Sequence, residues 1–211
     1  MLRYCALLCA ALLTLPTSHA CASTVHPTDP RAMFRIAGVV FAGTVSRITG
    51  ENDPAGRTIL TRVILRELTG IKGELKGDSL ALRLEGGRAG SRRVIVSDQP
   101  EFEMSKRYVI FAHSSLGSEA DAFNPIVRMH WGLFPIEAEG SKEKKCVHDW
   151  MHRPLIRMEA DRVIVMDASM DSTGQGASRD PFVVLGRKED PRTRVSEKDF
   201  IGFLRALVDH K

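Results

Sequence analysis

The chain of 211 residues carries 30 Lys and Arg against 26 Asp and Glu, a formal net charge of +4, with both signs mixed along its length. Nucleic-acid binders concentrate a larger basic excess on one face, and only 6% of the residues are aromatic, which leaves few platforms for base stacking; nucleic acid is not an expected partner. Four cysteines, Cys5, Cys9, Cys21 and Cys146, are too few for a disulfide scaffold.

Residues 1–22 combine one cation, Arg3, an apolar run from Cys5 to Leu15 and small residues at the end. That run is shorter than the about 20 residues that span a bilayer and has the pattern of a secretory signal peptide. Cleavage after Ala20 would leave Cys21 at the new N-terminus. Cleavage after Ala22 would leave Ser23 and follows the A-x-A pattern more closely, through Ala20, Cys21 and Ala22. His19 fits badly in a lipidation signal, so no lipid anchor at Cys21 is expected. The protein is expected to be exported, periplasmic or extracellular, with no transmembrane segment after leader removal. A Cys21–Cys146 disulfide is open to it only if cleavage precedes Cys21.

Residues 29–37 read as a short helix, capped by Asp29 with Pro30 at the first helical position and ended by Gly38. Residues 39–45 are apolar on both faces, as in a central strand. After a turn cluster at 50–56, residues 57–68 form a second strand and 69–78 a glycine-rich connector. Leu80, Leu82 and Leu84 alternate with Ala81 and Arg83, the period of a half-buried strand over 79–85. Gly86 to Gly90 turn the chain and 93–96 return it. Residues 108–112 form a fifth strand, 113–125 a polar loop, and 126–129 and 133–137 two short strands. Beyond Glu137 the pattern weakens: a charged turn at 140–145, a strand at 162–166, a small, polar stretch at 168–180 with the composition of a mobile loop, and a final helix from Ser196. Asp199 completes its approximate capping box, and Phe200, Phe203, Leu204, Leu207 and Val208 form the stripe it must bury. Short strands joined by glycine-rich turns predict a mainly β fold, a small antiparallel OB-like barrel with a short N-terminal helix and a C-terminal helix packed on it. The barrel is expected over 23–138, and 139–211 as a C-terminal extension packed on the same domain.

Residues 37–45, then Val63 to Glu67 leading to Ile71-Lys72-Gly73, the double-glycine hairpin at 86–90, Pro100-Glu101-Phe102, the strand Tyr108 to Phe111 and the segment Trp131 to Ile136 resemble an uncharacterised bacterial exported domain family. The likeness covers residues 24–138 and loosely the tail, and implies fold more than chemistry. The family's turn before the tyrosine strand reads glycine-glutamate; here it is Ser105-Lys106-Arg107. The same stretch is similar to the OB-type barrel of tissue inhibitors of metalloproteinases and netrin-like modules, which share a lysine-glycine connector like Lys72-Gly73. Those inhibitors chelate a protease zinc through an N-terminal cysteine, followed shortly by His-Pro. That likeness implies an inhibitory contact at Cys21 ahead of Val25-His26-Pro27. It departs at Ser23, where the inhibitors have a second cysteine, and in the number of disulfides.

The densest cluster of reactive side chains is Cys146, His148, Asp149 and His152. Thiolate and imidazole are zinc ligands, and the even offsets of Cys146, His148 and His152 would place them on one face of a strand. No second ligand pair stands elsewhere, although His130 or His113 could add a distant ligand, and solvated histidines beside a half-buried Cys and Trp are the simpler reading. Nucleophile-elbow, zincin, phosphate-loop and dinucleotide motifs are missing. His113 beside Ser114 and Ser115 is adjacency, which does not make a triad, and Glu101, Glu103, Glu119 and Asp121 are scattered loop carboxylates. Gly86 to Ser91 with Arg88 could hold an anion, yet a tight hairpin needs the same glycines, and Arg88, Arg92 and Arg93 suit a solvated tip. The expected function is that of an exported, non-catalytic binding protein without a cofactor, its partner another envelope protein, a protease or an extracellular polymer. The alternatives are a metalloprotease inhibitor acting through a free Cys21 and a metal-binding protein centred on Cys146, His148 and His152.

Overall fold

The computed structural model describes residues 30–54, 56–113, 116, 124–139, 144–158, 163–166, 183–186 and 194–209. The expected leader, Asp29, Cys21 with Val25-His26-Pro27, Ser114, Ser115, Glu119, Asp121 and the stretch 168–180 lie outside the described residues. In chain order the elements are α1 (Pro30–Ile36), β1 (Val39–Asn52), β2 (Ile59–Lys72), β3 (Ser79–Glu85), β4 (Gly87–Ala89), β5 (Arg92–Val94), β6 (Arg107–Ala112), a 3-10 turn (Met129–Gly132), β7 (Leu133–Glu139), β8 (Lys144–Val147), β9 (Leu155–Met158), β10 (Val163–Met166), β11 (Val183–Gly186) and α2 (Glu197–Asp209).

Six strands form one antiparallel sheet in the order β3-β2-β1-β6-β7-β8. Its centre is buried on both faces, which is why β1 and β6 read as continuous apolar runs. Val40, Ala42, Val109 and Phe111 join one core with Met33 and Phe34 of α1 and Phe200, Ile201 and Leu204 of α2. Val39, Phe41, Val45, Tyr108 and Ile110 join a second core with Val63, Leu65, Leu82 and Leu84, against which Phe102 packs from the segment before β6. The mainly β class expected from the sequence is present. The sheet is open, however: β3 and β8 are its two ends and form no ladder with each other among the described residues. Barrel closure requires that ladder; strand number and spacing do not specify it.

Local departures have physical causes. Residues 126–129 do not continue as a strand: Ile126 makes one bridge to Ala112, after which Arg128 and Met129 take left-handed backbone angles (φ 57° and 58°) and lead into the 3-10 turn. β2 runs on to Lys72, whose ammonium donates hydrogen bonds to the carbonyls of Phe34, Arg35 and Ala37 and so caps the C-terminal end of α1. At Gly73 (φ +75°) a Cβ would stand 2.6 Å from the Gly38 carbonyl oxygen. The lysine-glycine pair thus holds the first helix against the sheet. Ser105 takes φ 64° at the turn before β6.

The C-terminal extension contains three strands that the sequence reading left out, β8, β9 and β11, besides the expected β10. β9, β10 and β11 form a separate sheet, with β10 antiparallel to β9 and parallel to β11. Residues 194–196 tie it to the larger one: the Val147 N–H donates to the Val195 carbonyl and the Val195 N–H to that of Leu155. Ser196 then caps α2, its hydroxyl 3.2 Å from the Asp199 N–H and 2.6 Å from the Asp199 carboxylate. The helix buries Phe200, Ile201 and Leu204, whereas Val208 is exposed, so the apolar stripe is rotated from the expected one toward Ile201.

Candidate functional site

The turn that leaves β8 is built around Asp149. Its carboxylate accepts hydrogen bonds from the backbone N–H groups of Met151 (3.0 Å) and Arg153 (2.8 Å) and pairs with the Arg153 guanidinium (2.6–2.7 Å). The Asp149 N–H donates to the Arg153 carbonyl and the His152 N–H to that of Asp149. Asp149 is thereby used up structurally, and His152 is held in a left-handed conformation at φ 60°.

That conformation brings His152 Nδ1 to 2.7 Å from Glu137 Oε1 on β7. Lys106 Nζ lies 2.8 Å from the same oxygen and 2.9 Å from Glu103 Oε1, and His148 Nε2 lies 3.8 Å from Glu137 Oε2. Partial burial disfavours the charged form of Glu137, but hydrogen bonds from Lys106 and His152 outweigh it and hold its pKa below the ordinary value. Burial likewise works against the charge of Lys106, yet its bonds to Glu137 and Glu103 raise its pKa. His148 is buried with its pKa lowered by desolvation, which the Glu137 charge offsets only in part.

Beside this hub lies a cleft of about 330 Å³. Trp150, His130, His152, Tyr108, Phe102 and Gln99 are among its walls. The His130 ring packs 4.2 Å from that of Trp150, and His130 Nδ1 lies 3.2 Å from the Asp98 carbonyl oxygen. Trp131 meets Trp150 edge-on at 5.6 Å. Asp98, Glu101 and Glu103 contribute carboxylates to the lining, which holds no Lys or Arg. Three buried polar atoms here lack a hydrogen-bond partner: Trp150 Nε1 and both amide atoms of Gln99. Among the described residues, six outside glycine have positive φ, and five of them, Asp98, Ser105, Arg128, Met129 and His152, lie in this cleft's walls or the segments that lead into it and the Glu137 hub. Such strain gathers where a fold is shaped by use more than by stability.

The residues singled out from sequence fare unequally. Cys146 is buried on β8 opposite Glu137 in the ladder, and burial pushes its thiol pKa up. His148 bonds the Cys146 carbonyl through Nδ1 (3.3 Å) and not the thiol. The structure therefore gathers His148 and His152 around Glu137, not around Cys146, because β8 ends at Val147 and the alternation assumed for the cluster stops there. Among the described residues no three His, Cys, Asp or Glu side chains are grouped to hold a metal ion. The His113 N–H donates to the Pro125 carbonyl. Glu101 and Glu103 belong to the cleft. Arg88 and Arg92 spend hydrogen bonds on Gly90 and Asn52, inside and beside the β4–β5 hairpin, which Arg93 shares, exposed.

Sequence reading passed over Glu137, Lys106, Gln99 and the His130–Trp150 contact. One signal was available: both tryptophans of the chain, Trp131 and Trp150, stand within two residues of a histidine.

Fold and site together define a mainly β protein whose sheet carries an aromatic cleft with an acidic lining. Comparison with known proteins finds no family model that matches the chain, no similar curated protein and no similar solved structure.

Proposed function

We propose that the chain is an exported, non-catalytic binding protein of the cell envelope or medium, and that the cleft between Trp150, His130 and Phe102 is its binding site. One observation carries this reading: aromatic rings and carboxylates line a single concavity of about 330 Å³, the usual make-up of a binding cleft. The leader-like N-terminus supports export.

Because the chain has only two tryptophans, Trp150 in the cleft wall and Trp131 edge-on against it, intrinsic fluorescence reports on the cleft. Titration with extracellular proteins and polymers is expected to give a saturable change, with the ligand recovered intact. His152→Ala and Trp150→Ala should weaken binding without unfolding the chain, as circular dichroism would show. A ligand recovered cleaved or modified, or binding untouched by both substitutions, refutes the proposal.

A further inference from the structure

We infer that two copies of this chain pair edge to edge through β3, joining their six-stranded sheets across a two-fold axis. The two ends of the sheet are finished differently. The outer side of β8 is covered by the chain itself, through the Cys146–Ser196 bridge and the Val147 N–H bond to the Val195 carbonyl. β3 has β2 on one side and, among the described residues, no strand on the other.

The phase of the β2–β3 ladder fixes which backbone groups that free side presents. The Gly86 N–H donates to the Ile59 carbonyl, and these two residues stand directly opposite in the register that runs from Leu60–Glu85 to Arg66–Ser79. Antiparallel ladders alternate hydrogen-bonded and non-bonded pairs. Leu84, Leu82 and Leu80 therefore bond to β2, while Ser79, Ala81, Arg83 and Glu85 turn their N–H and C=O groups outward. Among the described residues no hydrogen bond reaches those groups. Ser79 is exposed and the other three are half-buried, so a strand can approach them.

The usual defences of an edge are not deployed on β3. A guarded edge carries a proline, a bulge or a charge aimed across it. β3 has no proline, and its seven residues pair with β2 without a register shift. Its one cation, Arg83, reaches back over β2 to Glu51 of β1 (3.6 Å), away from the free side. Glu85 lies at the strand's end, in the groove beside the β4–β5 hairpin.

A second copy is the occupant because the strand is complementary to itself. With the axis through Leu82, Ser79 meets Glu85 of the second copy and Ala81 meets Arg83. All seven residues overlap, and no like charges stand directly opposite. An axis through Arg83 would oppose two guanidinium groups, and one through Leu84 would run the second strand onto the left-handed turn at Gly86 and Gly87. In the favoured register Leu80, the one half-exposed leucine of the three, faces Leu84 of the second copy. So short an edge buries less than the about 1,200–2,000 Å² of a standard interface, so the association is weak and depends on concentration.

The test is sedimentation of the full chain from about 5 μM to about 1 mM, with residue-resolved amide exchange at both ends of the range. A monomer giving way to a dimer is expected. The amides of Ser79, Ala81, Arg83 and Glu85 should gain at least about tenfold protection at the high concentration, while those of Leu80, Leu82 and Leu84, already bonded to β2, change least. Ala81→Pro removes only an outward N–H and should keep the chain monomeric with its circular dichroism unchanged. Two side-chain variants serve if that proline costs the fold: Ala81→Arg, opposite Arg83 of the second copy, should weaken the dimer, and Ala81→Glu should strengthen it. A chain still monomeric at about 1 mM overturns the inference. So does a dimer whose outward amides exchange as in the monomer, since it would be built through another surface. Equal weakening by Ala81→Arg and Ala81→Glu overturns the axis through Leu82.

Discussion

Arg107 on β6 and Glu197 in the first turn of α2 form an ion pair of 2.6 Å, with side chains only 15% and 18% exposed. The same guanidinium donates to the Glu67 carbonyl (2.8 Å) and the Thr69 hydroxyl (3.0 Å) on β2. One side chain thus joins the sheet to the C-terminal helix and satisfies the Glu67 carbonyl, whose residue sits at φ 52°. Truncating Arg107 to Leu leaves Glu197 without its partner in a half-dry site. It should destabilise the chain by about 2–3 kcal/mol, measured as a fall in urea midpoint. Glu197→Gln, which keeps a neutral acceptor, should cost less than half as much. Equal effects would mean that the Glu197 charge carries the whole contribution of Arg107; no effect of Glu197→Gln would mean that Arg107 acts only through packing and its bonds to β2.

Acid should loosen the site in two stages. His148 has a folded-state pKa below its ordinary value of 6.5 because burial disfavours its charge. The unfolded chain therefore binds the proton first, and stability falls as pH drops below about 6.5. Glu137 is also depressed from its ordinary value of 4.5, by Lys106 and His152 acting against burial; its contribution is complete above that value and is lost as pH falls through the folded pKa. Melting temperature measured from pH 8 to about pH 2 should decline in both windows. His148→Gln should flatten the upper one alone, and Glu137→Gln the lower one. A profile unchanged by His148→Gln would remove the buried imidazole as the cause.

The β4–β5 hairpin lies flat on β1 because Gly50 has no side chain. A Cβ there would meet the Arg88 carbonyl oxygen at 1.7 Å, and one at Gly87 the Thr61 hydroxyl at 2.1 Å. Backbone cannot yield as a flexible side chain can, so Gly50→Ala should lift the hairpin at a cost of about 1–3 kcal/mol. Faster hydrogen exchange across 87–94, with the amides of β6 unchanged, is the expected signature. A uniform loss of protection would show instead that the hairpin is integral to the core.

What could be read in advance follows from how local each signal is. The alternation of Leu80, Leu82 and Leu84 located β3 to the residue, and the Ser196–Asp199 spacing located the start of α2, because period and cap are properties of adjacent residues. β8, β9 and β11 are four residues each, too short for periodicity to speak; β10 is as short but was marked by its run of Val and Ile. The site shows the same division. The cluster 146–152 drew notice by composition. Its working geometry depends on Glu137 from β7, Lys106 from the β6 turn and His130 from a 3-10 turn, whose nearness only the sheet order β6-β7-β8 creates. Asp149, the carboxylate of that cluster, is a turn staple; Cys146 looked like a ligand and is core.

Cys146 supplies a last measurement. It is 1% exposed, its pKa is raised by burial, and residues 194–196 bridge over its strand. A thiol reagent attacks the thiolate, so both the burial and the shift oppose reaction in the native state. If labelling requires unfolding of the whole domain, its rate at mildly alkaline pH should be at least about a thousandfold below that in denaturant. Rapid native labelling would mean that the β8 edge opens independently, which would carry His148 and His152 away from Glu137 and dismantle the wall of the cleft. Arg107→Leu, by freeing α2 and the bridging residues before it, should then speed the labelling; if it does not, the 194–196 bridge holds β8 without help from the helix. If the mature chain retains Cys21 in a bridge with Cys146, the Cys146 thiol will appear only after reductant is added, and intact mass taken with and without reductant separates that case from a slow, buried thiol.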